Sequence, residues 1–256
     1  MTTVTSNTSP PTSRPPDENT TLLKLNGACV NYGTRRILEC INLHLQRGEI
    51  VSLLGVSAIG KSTLLRCLAG IQPLDSGVRT TELGLRIAVQ FQALVLQPWL
   101  DIAGHLRVAK QLSRSNASVS EVLDLVGLAN RASNRVHELS GGMRTRLAFG
   151  RALIQLPGLL LLDEPYSSLD VVARNGMYAL LTQIVRQRNI GALIVTHDLV
   201  EALRVADRVV MLCGAPATIV EIGRLTGPVP RPEERLGDPD LREALGRIRV
   251  LLEQVC

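Results

Sequence analysis

The chain has 256 residues, 45% of them apolar, 2% aromatic and 20% charged, with a formal net charge of +5. Its length suits one α/β domain with an inserted subdomain better than two independent cores, and its apolar content excludes a body that is disordered throughout. Lys and Arg are scattered instead of forming a basic block for nucleic acid, and no apolar run approaches the ~18–20 residues that span a bilayer.

Residues 1–20 are rich in Thr, Ser and Pro, contain Arg14 and lack the apolar stretch of a secretory signal, so they read as a disordered leader. Leu22 to Val30 partly alternates in polarity and runs into Asn31-Tyr32-Gly33, a strand entering a turn. Ile50 to Leu54 is a short apolar run that meets a glycine-rich loop, and Lys61 to Leu68 continues it as a helix. Arg86 to Gln92 reads as a strand; Asp101 to Leu153 shows helical segments and no convincing strand, which marks an inserted helical subdomain. Leu159 to Asp163 and Leu193 to Thr196 are strands separated by the helical pattern Val171 to Arg188, and Leu199 to Ala206 is helical again. That alternation predicts βαβ units in a doubly wound core, and the apolar Leu159–Leu162 run suits a parallel strand covered on both faces. Val209 to Cys213 and Thr218 to Ile222 read as a small hairpin; the tail is Pro-rich from Gly227 to Pro232, then helical from about Asp238 to Gln254. Cys29, Cys40, Cys67, Cys213 and Cys256 lack metal-binding spacing and are expected to be reduced, buried thiols.

Three segments carry chemistry. Gly55-Val56-Ser57-Ala58-Ile59-Gly60-Lys61-Ser62 fits G-x-x-x-x-G-K-[ST] between a strand and a helix. Such glycines turn backbone amides inward around phosphates, the helix N-terminus adds a favourable dipole, Lys61 reaches the β- and γ-phosphates, and Ser62 offers a hydroxyl to Mg²⁺. Asp163 and Glu164 end the apolar strand where open α/β sheets hold their ligands; Asp163 suits Mg²⁺ and Glu164 suits a general base for water. Leu139-Ser140-Gly141-Gly142-Met143 opens a helix with a Ser cap and exposed glycine amides, a second anion site without its own lysine, as if it completed a site on another copy.

Taken together these segments resemble the ATPase subunit of ATP-binding cassette (ABC) transporters, from about Leu22 to Ile222. The motifs follow the family's order: Walker A at Gly55 to Ser62, with Thr63 next; Gln92 after Phe91 as the Q-loop; Leu139 to Met143 as the signature; Leu159 to Glu164 as Walker B; Ser168-Leu169-Asp170 as the D-loop; and His197 in Thr196-His197-Asp198 as the switch histidine. The resemblance implies a P-loop NTPase core of mostly parallel sheet flanked by helices, an N-terminal antiparallel β region and a helical subdomain at about residues 93–153, within an ATPase domain of residues 21–225 and a tail of residues 226–256. It implies that Tyr32 stacks on adenine and Gln92 senses Mg²⁺ and the membrane partner. It also implies that Ser140 and Gly142 bind the γ-phosphate across a dimer and that His197 contacts that phosphate. Alone, Tyr32, Gln92 and His197 have plain structural readings; their joint order favours the functional ones.

Gln97-Pro98-Trp99-Leu100, Met143 in place of the common Gln, and Pro230-Arg231-Pro232 resemble the nitrate, sulfonate, taurine and bicarbonate importer branch. The implied protein is peripheral on the cytoplasmic face of the inner membrane and works with integral-membrane permease subunits, a solute-binding protein, a second ATPase subunit, ATP and Mg²⁺, without nucleic acid. A permease helix is expected near Gln92 to Leu100, with Trp99 in the dock. The rival reading is a soluble ABC ATPase acting on nucleic acid or ribosomes, against which the absence of a long coiled coil or second cassette counts. Thr145, Gly150, Tyr166 in place of the usual Phe, and a short Ser76–Arg86 segment depart from the family pattern.

Overall fold

The computed structural model describes residues 20–255; residues 1–19 of the expected leader and Cys256 lie outside the described residues. The strands are β1 (Thr21–Tyr32), β2 (Arg35–Gln46), β3 (Ile50–Leu54), β4 (Ser76–Thr81), β5 (Ile87–Gln90), β6 (Leu159–Asp163), β7 (Gly191–Val195), β8 (Arg208–Cys213) and β9 (Thr218–Arg224). The α-helices are α1 (Lys61–Leu68), α2 (Ile102–Ser113), α3 (Val119–Leu125), α4 (Gly141–Leu153), α5 (Val171–Arg188), α6 (Leu199–Val205) and α7 (Pro239–Val255). They form the expected α/β architecture: a six-stranded sheet ordered β5-β6-β7-β3-β8-β9, parallel except for β9, beside a three-stranded antiparallel sheet ordered β2-β1-β4.

Strand β6 shows why the large sheet is covered on both faces. Every residue from Leu159 to Asp163 is buried, and pleating sends Leu160 and Leu162 into a core shared with α4 and α5. Leu159 and Leu161 point the other way, into a core with α1 and the antiparallel sheet. Burying each such leucine stabilises the fold by about 1.5–3 kcal/mol. The helical insert builds no separate core: Ile102, Leu106, Val122 and Val126 join the same cluster as Leu160 and Leu162. Gly150 faces α2 and α3, where a Cβ would meet Leu106 Cδ2 at 3.4 Å and Val122 Cγ1 at 3.5 Å, ordinary van der Waals distances, so packing there does not by itself demand glycine.

Several boundaries differ from those expected. Strand β2 alternates buried with half-buried or exposed positions, and its pairing with β1 carries four register shifts, which blur its period of two. Strand β4 is almost wholly exposed and pairs along only one edge, so it leaves no apolar trace in the sequence. The presumed small hairpin is larger: β8 is a buried strand beside β3, and β9 extends the main sheet antiparallel to it. Cys29, Cys67 and Cys213 are buried, but Cys40 is exposed at a left-handed bulge residue, φ 48°, correcting the expectation that it is buried.

The tail is anchored by an unusual internal cation. Arg231 is fully buried; its guanidinium donates to the carbonyls of Leu203 and Ala206, at 3.0 and 2.7 Å, and to that of Thr226 at 2.9 Å. It thereby satisfies carbonyls at the C-terminal end of α6 that the helix leaves without partners. Beyond it, Leu241, Ala244 and Ile248 of α7 pack with Val209 and Met211 of β8.

Candidate functional site

Register brings the reactive loops to one height. Asp163 of β6 lies opposite Val195 of β7, and Val195 lies opposite Leu53 of β3, so these three adjacent parallel strands end level. The loop after β3, the turn after β6 and the turn after β7 therefore open into one cavity of about 370 Å³. Ser57, Ala58, Gly60, Lys61, Ser62, Thr63, Gln92, Asp163, Glu164 and His197 line it.

The loop between β3 and α1 depends on left-handed backbone. Gly60 precedes α1 at φ 118°, and a Cβ there would meet Ile37 Cγ2 and Leu38 Cδ2 at 3.1 Å. Ala58 takes φ 63° without being glycine, an uncommon conformation at a functional loop. The Lys61 ammonium curls back over the loop and donates to the carbonyls of Gly55 at 2.6 Å and Val56 at 2.9 Å. Burial pulls its pKa down, opposed by the charges of Glu164 and Asp163. Val56 and Ile59 belong to the loop but not to the cavity wall; the Ile59 side chain packs beside Gly55 instead.

Opposite the lysine, the Ser62 hydroxyl donates to Asp163 Oδ2 at 3.1 Å. Burial raises the Asp163 pKa, partly offset by that hydrogen bond. Glu164 stands at φ 44° with its amide donating to the Val195 carbonyl at 2.9 Å. This strained backbone turns its carboxylate between two partners: Gln92 Nε2 donates to Oε2 at 3.3 Å, and His197 Nδ1 lies 2.9 Å from Oε1. The cavity thus joins a cation for phosphate, oxygen donors and a carboxylate oriented by an amide and an imidazole.

The oxygen donors fit a magnesium ion that arrives with a nucleotide. Mg²⁺ takes one or two protein oxygens and completes its shell with phosphate and water. Ser62 and Asp163 offer such a pair, with Gln92 nearby on the cavity wall, while no group of three or more His, Cys, Asp or Glu among the described residues could hold a metal alone.

Other expected site residues stand apart. Tyr32 is half exposed, and its hydroxyl donates to Gln72 Oε1 at 2.9 Å and lies 3.3 Å from Thr63 Oγ1, which sets the ring beside the phosphate loop. Ser140 caps α4 by accepting the Met143 amide at 3.3 Å; Ser140, Gly141 and Gly142 do not line the cavity. Asp170 likewise caps α5, accepting the Ala173 amide at 2.8 Å. No local pattern marks Gln72 or the Arg174–Asp198 ion pair at 3.6 Å, since both contacts join residues far apart in the chain. A second depression of about 400 Å³ runs between Gln90–Val95 and α2, with Phe91, Val95, Val108 and Leu112 exposed along it. Buried His105 accepts the Gln97 amide at Nε2, 3.0 Å, and its Nδ1 lies 2.9 Å from the Asp101 carbonyl, which pins one wall of that groove.

Comparison with known proteins agrees with this arrangement. Residues 38–167 match the family model described as ABC transporter. The aliphatic sulfonates import ATP-binding protein of Xanthomonas axonopodis pv. citri is 40% identical over 226 residues, covering 83% of this chain and 88% of that protein. The bicarbonate transport ATP-binding protein of Synechocystis sp. is 40% identical over 213 residues, 78% of this chain but 32% of that longer protein. A solved structure described as the ATP-binding subunit of an ABC transporter superposes with a TM-score of 0.74 over 91% of this chain, at 24% identity, which supports the fold. No helix among the described residues is long and apolar enough to cross a membrane. The chain belongs to the ABC transporter family, as an ATP-binding, transport-coupled ATPase subunit.

Proposed function

We propose that this subunit hydrolyses MgATP to drive uptake of a small oxyanion or sulfonate-type solute through separate permease subunits, supplied by a solute-binding protein. The observation that carries the ATPase half is the cavity that faces Lys61 with Asp163, Glu164, Gln92 and His197. Lys61 and the loop amides hold the phosphates, and Tyr32 packs on the adenine. Glu164 takes a proton from the attacking water while Gln92 and His197 fix its carboxylate, and His197 contacts the γ-phosphate. Magnesium held by Ser62 and Asp163, with Gln92, supplies charge neutralisation for the phosphates.

Ser140, Gly141, Gly142 and Asp170 act on a second copy of the chain, in a head-to-tail dimer that encloses two nucleotides. The exposed helix start at Ser140, which does not line the phosphate-loop cavity of its own chain, supports that reading. The apolar groove beside Phe91, Val95, Val108 and Leu112 receives a permease helix. Trp99, 70% exposed, flanks this groove through Gln97 and is not part of its lining. The relatives' sulfonate and bicarbonate cargoes support an anionic solute. The test is uptake of labelled alkanesulfonate, nitrate and bicarbonate by cells with and without the chain. Loss of one uptake upon deletion, restored by wild type and not by Lys61→Ala, is expected; unchanged uptake of all three sinks the anionic-solute reading.

A further inference from the structure

The antiparallel sheet brings together two thiols that the chemistry of the cavity does not use. Across the β1–β2 pair, Ala28 faces Ile41 and Val30 faces Leu38, so the single residue Cys29 stands against two, Glu39 and Cys40, in a bulge. Cys40 takes φ 48° there, a left-handed conformation that glycine adopts without strain and cysteine does not. Its amide donates to Cys29 Sγ at 3.3 Å, and its thiol is hydrogen-bonded to the same residue. Residues facing across an antiparallel pair stand about 4.5–5.5 Å apart at Cα, inside the about 4.4–6.8 Å that a disulfide bridges. A bond between these sulfurs therefore needs rotation of side chains, not movement of strands.

The two thiols differ in access and in charge. Cys29 is 6% exposed, whereas Cys40 is exposed. Cys29 lies opposite Ser76 of β4; hydrogen bonds from Ser76 and from the Cys40 amide lower its pKa, and the Cys40 thiol and Arg36 add to them against burial. The charge so favoured at Cys29 pushes the Cys40 thiol up in turn, helped by burial and opposed by Arg36. The inner sulfur is thus the better thiolate and the outer one the better reached. Cys67 and Cys213 are buried, and burial pushes the Cys67 thiol up to about 11, which makes it inert.

We propose that Cys29 and Cys40 are a reversible redox-modification site for low-molecular-weight disulfides, with exposed Cys40 as the entry thiol and buried Cys29 as the resolving one. In the first step Cys40 gives up its proton and its sulfur attacks one sulfur of the oxidant, RSSR. The Cys40–SR bond forms, the bond within RSSR breaks, and RS⁻ leaves. In the second step the Cys29 thiolate attacks Cys40 Sγ; the Cys29–Cys40 bond forms, the Cys40–SR bond breaks, and a second RS⁻ leaves. The two protein thiols lose two electrons and two protons, and RSSR gains both as two RSH. Reduction begins with a thiol attacking the exposed Cys40 sulfur, which expels Cys29, and a leaving thiolate of low pKa departs readily. The bond staples the β1–β2 hairpin just below Tyr32, the last residue of β1.

The experiment treats the folded, reduced full chain, carrying Cys256→Ser so that this thiol does not compete, with glutathione disulfide. Remaining thiols are then blocked with an alkylating agent, the chain is digested without reduction, and its peptides are read by mass spectrometry. With both cysteines present, the Cys29 and Cys40 peptides are expected to be joined, two hydrogens lighter than their sum, and to separate again with dithiothreitol. Cys29→Ser should stop at the first step, with glutathione held on Cys40. Cys40→Ser should leave Cys29 unmodified over the same interval, because the entry thiol is gone. Glutathione that stays on Cys40 while Cys29 is present would overturn the pair. Glutathione on Cys29 in the Cys40→Ser chain would overturn the order of entry. Linkage or modification at Cys67 or Cys213 in step with Cys40 would mark the chemistry of an unfolded chain and overturn the site. If Cys29→Ser does not fold, Cys29→Ala takes its place, and the joined peptides of the chain with both cysteines decide alone.

Discussion

Helices α1 and α4 both start at glycine-flanked turns that suit an anion, yet their surroundings differ. At α1 the loop after β3 is faced by the acids ending β6 and by His197 after β7, and together they enclose a cavity. At α4 the cap is formed by Ser140 alone, Ser140 and Gly141 are exposed, and the turn at Ser168–Leu169 passes beside Gly141 and Gly142 without enclosing a cavity with the phosphate-loop residues. A helix start concentrates partial positive charge wherever it occurs, but only enclosure by other elements turns that charge into a binding site. The contrast is what two half-sites completed by a second copy would require.

The largest expected effect comes from breaking the enclosed end. Lys61→Ala should abolish ATP turnover, because the phosphates lose their fixed counter-charge; turnover at the wild-type rate would refute the phosphate-loop reading. Glu164→Gln keeps the shape beside Gln92 and His197 and removes the base, which should cost ~10²–10⁴-fold in rate while MgATP still binds. Size-exclusion chromatography with MgATP should then show a trapped dimer, and adding Ser140→Arg should return a monomer. A dimer that persists with Ser140→Arg would show that the exposed end is not half of the site.

A mixture sharpens the comparison further. Lys61→Ala and Ser140→Arg are each expected to be inactive alone. A dimer with one chain of each kind places both lesions in one composite site and leaves the other intact, so mixing should recover part of the wild-type ATPase rate. Mixtures as inactive as either variant would argue for sites completed within one chain. The smallest effect on chemistry is expected for Trp99→Ala: ATPase of the isolated subunit should match wild type while uptake in cells falls. Unchanged uptake would remove Trp99 from the dock.

Legibility followed the range of the interactions. The β6 strand, the phosphate loop and the cap at Ser140 were readable, because each rests on neighbours within a few residues, whereas the caps formed by Asp170 and Asp198 were not read as such. Strands β2 and β4 were not, since one is interrupted by bulges and the other is held mainly by backbone bonds that leave no side-chain pattern.

The sequence by itself determined the chemistry available to this protein: a lysine in a glycine-rich loop, two acids ending an apolar strand, and a histidine ending another. Those identities are local, and their order is diagnostic. Tertiary structure alone decided that β3, β6 and β7 end level, that Glu164 turns at φ 44° toward Gln92 and His197, and that Tyr166 and Glu201 are buried. Those facts depend on strand register and on packing between segments distant in the chain, where pairing and burial, rather than residue type, set position and charge.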